Sequence, residues 1–308
     1  MTGKTHTELA EFAVSIGESV AKAASRLRRT TETNQKWENK VGFLLDQKIR
    51  RLLENSARKN NYQIYAVSMP YVAETIEMGK GKDHLNIRII GNGKKKVACL
   101  YDVIDGTWNE TAGLKFSVST ILAFTKEISG KLPGKFSIND FTVGVVAPHH
   151  GEGLYYAIKG LRPVFRNYKT GKEESLRLTS ETDTNKLRCI IDVFTSPNKK
   201  VHDKAIDSII PIMKEWRDFG RYYGTGIELM SLLGRLNAEP AYGGYVTFNQ
   251  KTDNLVAPLL ILSCAGAIIS DWNGNPITNK LLEEKANVVV ASNKALYNLL
   301  ISHVKGKM

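Results

Sequence analysis

The residues best suited to chemistry fall in one short run, Val97-Ala98-Cys99-Leu100-Tyr101-Asp102-Val103-Ile104-Asp105-Gly106-Thr107-Trp108-Asn109. A strand-like apolar stretch leads straight into Asp-x-x-Asp-Gly-Thr. Two carboxylates, a flexible glycine and a hydroxyl therefore arrive together at a strand end, where sheet proteins commonly place ligands. Hard carboxylate oxygens suit Mg²⁺, and a glycine lets the backbone come close to a phosphate. Taken alone, the run reads equally well as a hairpin turn, because Asp-Gly is a common turn dipeptide. Asp253, just before an apolar helical pattern, has the residue type of an N-cap as well as of a ligand. Arg221 alone reads as a surface charge as readily as a substrate contact. Other chemistries lack their spacing: the histidines, including adjacent His149 and His150, form no His-x-x-x-His, and the cysteines form no Cys-x-x-Cys. There is no Walker loop, and Gly91-Asn92-Gly93 is too short for a dinucleotide fingerprint.

These residues need elements to hold them. Leu9, Phe12, Ala13, Ile16, Val20, Ala23 and Leu27 recur at helical spacing, predicting an amphipathic helix over 7–29. A polar connection over 28–39 follows, then a second helical pattern over 43–58 that contains Asp46. Strands are predicted at 62–67, 85–90, 97–101, 116–124, 141–147, 154–159 and 187–193, with turns at 131–135 and 170–173. Beyond Pro197 the pattern turns helical at 204–216, 224–233 and 255–265, with short buried strands at 267–270 and 287–291 and a closing helix over 293–304. Asp271 beside Asn273-Gly274 reads as a turn residue. A strand-rich half followed by alternating helices and strands predicts stacked α/β layers.

The whole chain sets the frame. Its 308 residues allow one large unit or two packed subdomains, which we place at 1–195 and 196–308. A hydrophobic fraction of 42% and a charged fraction of 24% are those of a folded protein. The net charge of +12 would draw in anionic ligands, but the basic residues are scattered and have no aromatic partners, which argues against a nucleic-acid partner. Three separated cysteines argue against a disulfide framework. The longest apolar run, 255–269, is broken by Pro258 and falls short of the ~18 residues that span a bilayer. No membrane association and a cytoplasmic location are expected.

The Asp102-to-Thr107 run resembles the Asp-Pro-Ile-Asp-Gly-Thr motif of the inositol monophosphatase and fructose bisphosphatase superfamily, and other landmarks follow in order. Asp46-Gln47-Lys48 is similar to an upstream family aspartate, and Arg221-x-x-Gly224-Thr225 to a segment of the substrate pocket. Thr252-Asp253-Asn254-Leu255-Val256-Ala257-Pro258 resembles Trp-Asp-x-x-Ala-Gly/Pro, and Cys264 to Pro276 stands where relatives carry an Ala-Gly-Gly strand and a Gly-x-Pro turn. The resemblance implies an αβαβα five-layer sandwich and a Mg²⁺-dependent phosphatase acting on a small inositol, sugar or nucleotide phosphate, and by analogy with relatives a homodimer. It implies that Asp102, the Ile104 carbonyl, Asp105 and Asp253 hold metal. Gly106 and Thr107 would meet the phosphate, Asp46 with Thr107 would orient the attacking water, and Arg221, Gly224 and Thr225 would line the substrate pocket. The first and last of these landmarks put most of the metal site in residues 1–195, with Asp253 and the pocket in 196–308.

One departure matters chemically. Relatives place a Glu-Glu pair after the strand that follows the Asp46 helix, and its first glutamate binds metal and water; here the place reads Val67-Ser68-Met69-Pro70. Glu74 or Glu77 could supply the missing carboxylate. If neither does, the alternative is a catalytically impaired relative that binds a partner or metabolite. Val103 and Thr252 also replace the motif proline and tryptophan, and neither change removes a ligand.

Overall fold

Alternation along the strand Lys95–Asp105 sets the centre of the architecture. Val97, Cys99, Tyr101 and Val103 are buried toward one side and Ala98 and Leu100 toward the other. A strand buried on both faces belongs inside a sheet covered on both sides. The computed structural model, which describes residues 2–27, 35–68, 86–106, 118–128, 135–193, 198–221, 224–235 and 240–307, shows such a sheet. Its strands are β1 (Tyr62–Ser68), β2 (Asn86–Ile90), β3 (Lys95–Asp105), β4 (Ser119–Thr125), β5 (Phe141–Pro148), β6 (Gly153–Ile158), β7 (Val164–Asn167) and β8 (Glu173–Ser175), in the order β2-β1-β3-β4-β5-β6-β7-β8. Only the β1–β3 pair is parallel; the other neighbours run antiparallel.

Helices α1 (Thr2–Leu27) and α2 (Gln35–Asn60) cover one face, burying Leu9, Ile16 and Val20 with Leu45, Ile49 and Leu53 against the β3, β4 and β5 side chains. The second sheet holds β9 (Arg188–Val193), β10 (Asp218–Gly220), β11 (Tyr242–Lys251), β12 (Ile268–Asp271) and β13 (Lys285–Ala291) in the order β10-β9-β11-β13-β12. Its outer face is closed by α3 (Lys199–Glu215) and α6 (Lys294–Val304) through Ile209, Ile212, Leu296 and Leu300. Between the sheets lie α4 (Thr225–Met230) and α5 (Val256–Cys264). The order is helix, sheet, helix, sheet, helix, the five-layer αβαβα arrangement expected. Among the described residues no helix is long and apolar enough to cross a membrane.

α5 is apolar around its whole circumference, as a helix sandwiched between sheets must be. It approaches the first sheet over a lane of small residues, Ala123, Gly144 and Ala157, which are cross-strand neighbours on β4, β5 and β6. A Cβ on Gly144 would lie 2.9 Å from the Ala257 carbonyl oxygen and 3.1 Å from its Cα. Glycine at 144 therefore sets how deep α5 can sit.

Several boundaries differ from expectation. β3 continues through Asp102 to Asp105 with a register irregularity between them, so the two acids stand on a distorted strand end and not in a hairpin turn. The helix expected over 224–233 is the short α4, and α2 begins at Gln35, within the stretch expected to be a connection. The strands β7, β8, β10 and β11 were absent from the sequence pattern. β11 is the costliest omission, because it is the middle strand of the second sheet. Its Gly243-Gly244 pair has the look of a turn, yet a Cβ at either position would come within 2.7 Å of a methyl of Leu296 or Leu300. These glycines make room for α6. The 131–135 turn falls largely outside the described residues, whereas Asp271 does organise a turn, accepting from the Asn273 and Asn275 amides at 2.8 Å.

Candidate active site

The end of β3 meets the start of α4. Asp105 Oδ2 accepts from the Gly226 amide at 2.7 Å and the Ser119 hydroxyl at 3.1 Å, and Oδ1 accepts from the Thr225 amide at 3.1 Å. The partners lie about 120 residues downstream. Such a contact uses amides that the first turn of a helix leaves without internal acceptors. Gly226 must lack a side chain, since a Cβ there would be 3.0 Å from Asp105 Oδ2 and 2.9 Å from Ser119 Oγ. Gln250 Nε2 donates to the Thr225 hydroxyl at 2.7 Å, tying β11 to the same corner. Gly224, in an extended conformation, caps α4.

Asp102 turns its Oδ1 back to accept from the Ile104 amide at 3.0 Å. Gly106 follows at φ +95°, a left-handed conformation that suits glycine. Asp253 sits at the start of the 3₁₀ turn Asp253–Leu255 that leads into α5, and its Oδ1 accepts from the Asn254 amide at 2.9 Å. These three acids share one electrostatic environment. Burial raises Asp105 to about 8, reinforced by the charge of Asp102 and opposed by its hydrogen bonds. Burial and Asp102 together raise Asp253 to about 7, with Lys251 pulling it down. Asp102 itself is raised by burial to about 6, offset by the Ile104 amide and Lys251. Three carboxylates that resist ionising beside one another are the donor set a divalent cation relieves.

In chemistry the donors suit a divalent cation, being hard carboxylate oxygens short of positive charge, with Asp105 and Asp253 buried and Asp102 half-buried. Among the described residues no group of three or more Cys, His, Asp or Glu side chains is placed so that it could hold a metal ion. Asp102, Asp105 and Asp253 are the carboxylates whose chemistry would suit one. Thr107, Glu74 and Glu77 lie outside the described residues.

Asp46, almost fully buried in α2, accepts from the Tyr101 hydroxyl at 2.8 Å and forms an ion pair with Arg50 one turn on. Arg221 reaches Asp192 on β9, with Nε 2.6 Å from Oδ1. Burial pushes Asp192 up to about 6, and the guanidinium partly reverses the shift. Beneath β3, Thr120 Oγ1 donates to the Val103 carbonyl at 3.0 Å and lies 2.8 Å from His149 Nε2. Because the single hydroxyl proton is spent on Val103, Nε2 must be the donor in that contact. Sequence reasoning did not select Ser119, Gln250, Lys251, Asp192 or the Thr120–His149 pair. Only Lys251 carried a signal, as a cation two places before Asp253.

The two-sheet, five-layer architecture is the fold of solved inositol monophosphatase structures. The extragenic suppressor protein suhB of Bartonella henselae superposes with a TM-score of 0.67 at 14% identity, covering 96% of this chain and 99% of that one. Inositol monophosphatase II of Staphylococcus aureus MSSA476 gives 0.67 at 15% identity over 97% and 96%. Structures of SaIMPase-II hold inositol monophosphate or 2′-AMP. In sequence, the bifunctional NADP phosphatase/NAD kinase of Methanococcus maripaludis is 23% identical over 227 residues, 71% of this chain and 37% of that protein. The chain thus spans well under half the length of that relative. No protein-family model matches the chain.

Proposed function

We propose that the chain is a Mg²⁺-dependent phosphatase that hydrolyses a small phosphate monoester, and that its substrate carries the phosphate on the 2′ position of an adenosine. The observation that carries the reading is the acidic set Asp102, Asp105 and Asp253, in which desolvation raises all three, the charge of Asp102 raises the other two, and Asp105 is bonded to the α4 N-terminus. Mg²⁺ bound there would neutralise phosphoryl charge and supply an activated water. The protein's own part is positioning: α4 holds Asp105 in a fixed orientation through two amides, and Gly106, with no side chain and φ +95°, would let the backbone come close to the phosphate. Asp46 would orient the Thr107 hydroxyl toward the water, and Arg221 with Gly224 and Thr225 would border the leaving group. The 2′-phosphate is suggested by two independent likenesses, since NADP and 2′-AMP share an adenosine 2′-phosphate. The same reading makes the protein a cytoplasmic homodimer in which residues 1–195 supply most of the metal site and 196–308 supply Asp253 and the pocket.

Phosphate release from NADP, 2′-AMP, inositol monophosphate and sugar phosphates, measured with Mg²⁺ and with chelator, tests this. Turnover that needs Mg²⁺, is fastest on the 2′-phosphates and vanishes in Asp105→Asn is expected. Turnover unaffected by chelator or by Asp105→Asn overturns it. A second reading is favoured by Met69-Pro70 in the place of the glutamate pair: a relative that binds these esters without cleaving them. Thermal stabilisation by 2′-AMP with no phosphate released would establish that alternative.

A further inference from the structure

At the other end of α5 from Asp253 lies a second cleft, of about 510 Å³, bordered by Arg162, Arg177, Thr179, Ser180, Ser292 and Asn293, with Leu176, Leu178 and Ala265 on its apolar side. We propose that this cleft is a separate anion site that takes a phosphate monoester with an apolar or aromatic body. It stands independently of the activity proposed above.

Three features point the same way. Two guanidinium side chains border one opening, the arrangement that recognises phosphate by paired charge-assisted hydrogen bonds. The 11-residue helix α6 starts at the cleft wall, with Asn293 as its N-cap accepting from the Leu296 amide at 3.1 Å. Its first amides have no partner inside the helix, and its dipole puts positive charge at that end. Ser292, 7% exposed, contributes a buried hydroxyl with no hydrogen-bond partner among the described residues. A buried hydroxyl left unpaired costs free energy, and an anion oxygen would satisfy it.

Among the described residues the opposing charge is small. α5 also ends at this cleft, but its last carbonyls are taken: Ile261 and Leu262 by the Ala265 amide, Leu262 again by Ala267, and Ser263 by Gly266. Glu181 is held by Lys186 at 3.2 Å and by the Thr182 and Asp183 amides. The volume exceeds what one phosphate fills and lies within the range of small-ligand pockets, and the leucines and Ala265 give the remainder of a ligand an apolar wall. The nine residues of α5 separate the cleft from Asp253 by roughly 14 Å at ~1.5 Å per residue, so one phosphate group cannot serve both sites.

The test uses the full chain in EDTA with 5′-AMP and inorganic phosphate as probes, read by calorimetry. Saturable 5′-AMP binding, tighter than that of phosphate, is expected. It should weaken roughly tenfold or more in Arg162→Ala/Arg177→Ala, weaken several-fold in Ser292→Ala, and persist in Asp105→Asn. Mg²⁺-dependent phosphate release should be unchanged in the arginine double variant, which also shows that it is folded. Absence of saturable binding, equal affinity in the wild type and the double variant, or loss of binding in Asp105→Asn overturns the proposal.

Discussion

Gly144→Ala adds a single methyl and should damage the site from a distance. The new Cβ would sit 2.9 Å from the Ala257 carbonyl oxygen and 3.1 Å from the Ala257 Cα, where ordinary contact begins near 3.4 Å. Backbone lies on the far side and cannot rotate away, so α5 must retreat by about 0.5 Å or more. Overpacking of this kind costs about 1–3 kcal/mol. At ~2–4 °C per kcal/mol for a domain somewhat smaller than this one, a fall in Tm of several degrees follows. Ala257 is four residues after Asp253, so the retreat carries the carboxylate with it, and displacements approaching 1 Å can cost ~10²-fold in rate. Differential scanning fluorimetry and Mg²⁺-dependent phosphate release read the two effects. Gly42→Ala is the control: in the helix α2 its Cβ would meet, among the described residues, only Ile104 Cδ1, at 3.7 Å, so removal of a helical glycine should stabilise by ~0.5–1 kcal/mol. If Gly144→Ala melts and turns over like the wild type, the placement of α5 against β5 is wrong.

Asp105 and Asp253, raised to about 8 and about 7, bind protons more tightly folded than unfolded. Their stabilising contribution to the metal-free protein is complete below the unfolded carboxylate range near ~4 and is lost as pH rises toward 8. Mg²⁺ competes with those protons, so the rise in Tm on adding it should be larger at about pH 8.5 than at about pH 6; equal rises would show that these carboxylates do not bind it. Arg221→Ala leaves the buried Asp192 without its ion pair. Breaking a fully buried pair costs ~3–5 kcal/mol, and because the Arg221 side chain is 32% exposed we expect about 1–3 kcal/mol in urea unfolding. Gly226→Ala pushes a methyl against Asp105 Oδ2 and Ser119 Oγ, and should lower phosphate release at least tenfold with folding retained by circular dichroism; wild-type rates would detach α4 from the function of Asp105.

How much of this could be seen in the chain depends on whether a residue acts through its neighbours in sequence or in space. Asp102 and Asp105 stand out because strand, acid and glycine are contiguous, and α5 because seven apolar residues in a row, Val256 to Leu262, leave few alternatives. β11 was invisible because Gly243 and Gly244 answer to Leu296 and Leu300, about fifty residues later, and resemble a turn without them. Ser119 and Gln250 are ordinary polar residues until Asp105 and Thr225 reach them. The glycines at 144, 226, 243 and 244 share one cause: each marks a place where another element comes closer than a Cβ permits. In this fold such approaches occur where α4, α5 and α6 meet the sheets, and two of those three junctions also fix a carboxylate. Asp105 is held by α4 and Asp253 precedes α5, so the spacing between layers and the geometry of the acidic group are set by the same small residues. Substitutions that loosen the layers should therefore lower metal affinity before they unfold the chain, which a Mg²⁺ titration of Gly144→Ala at a temperature well below its Tm would detect.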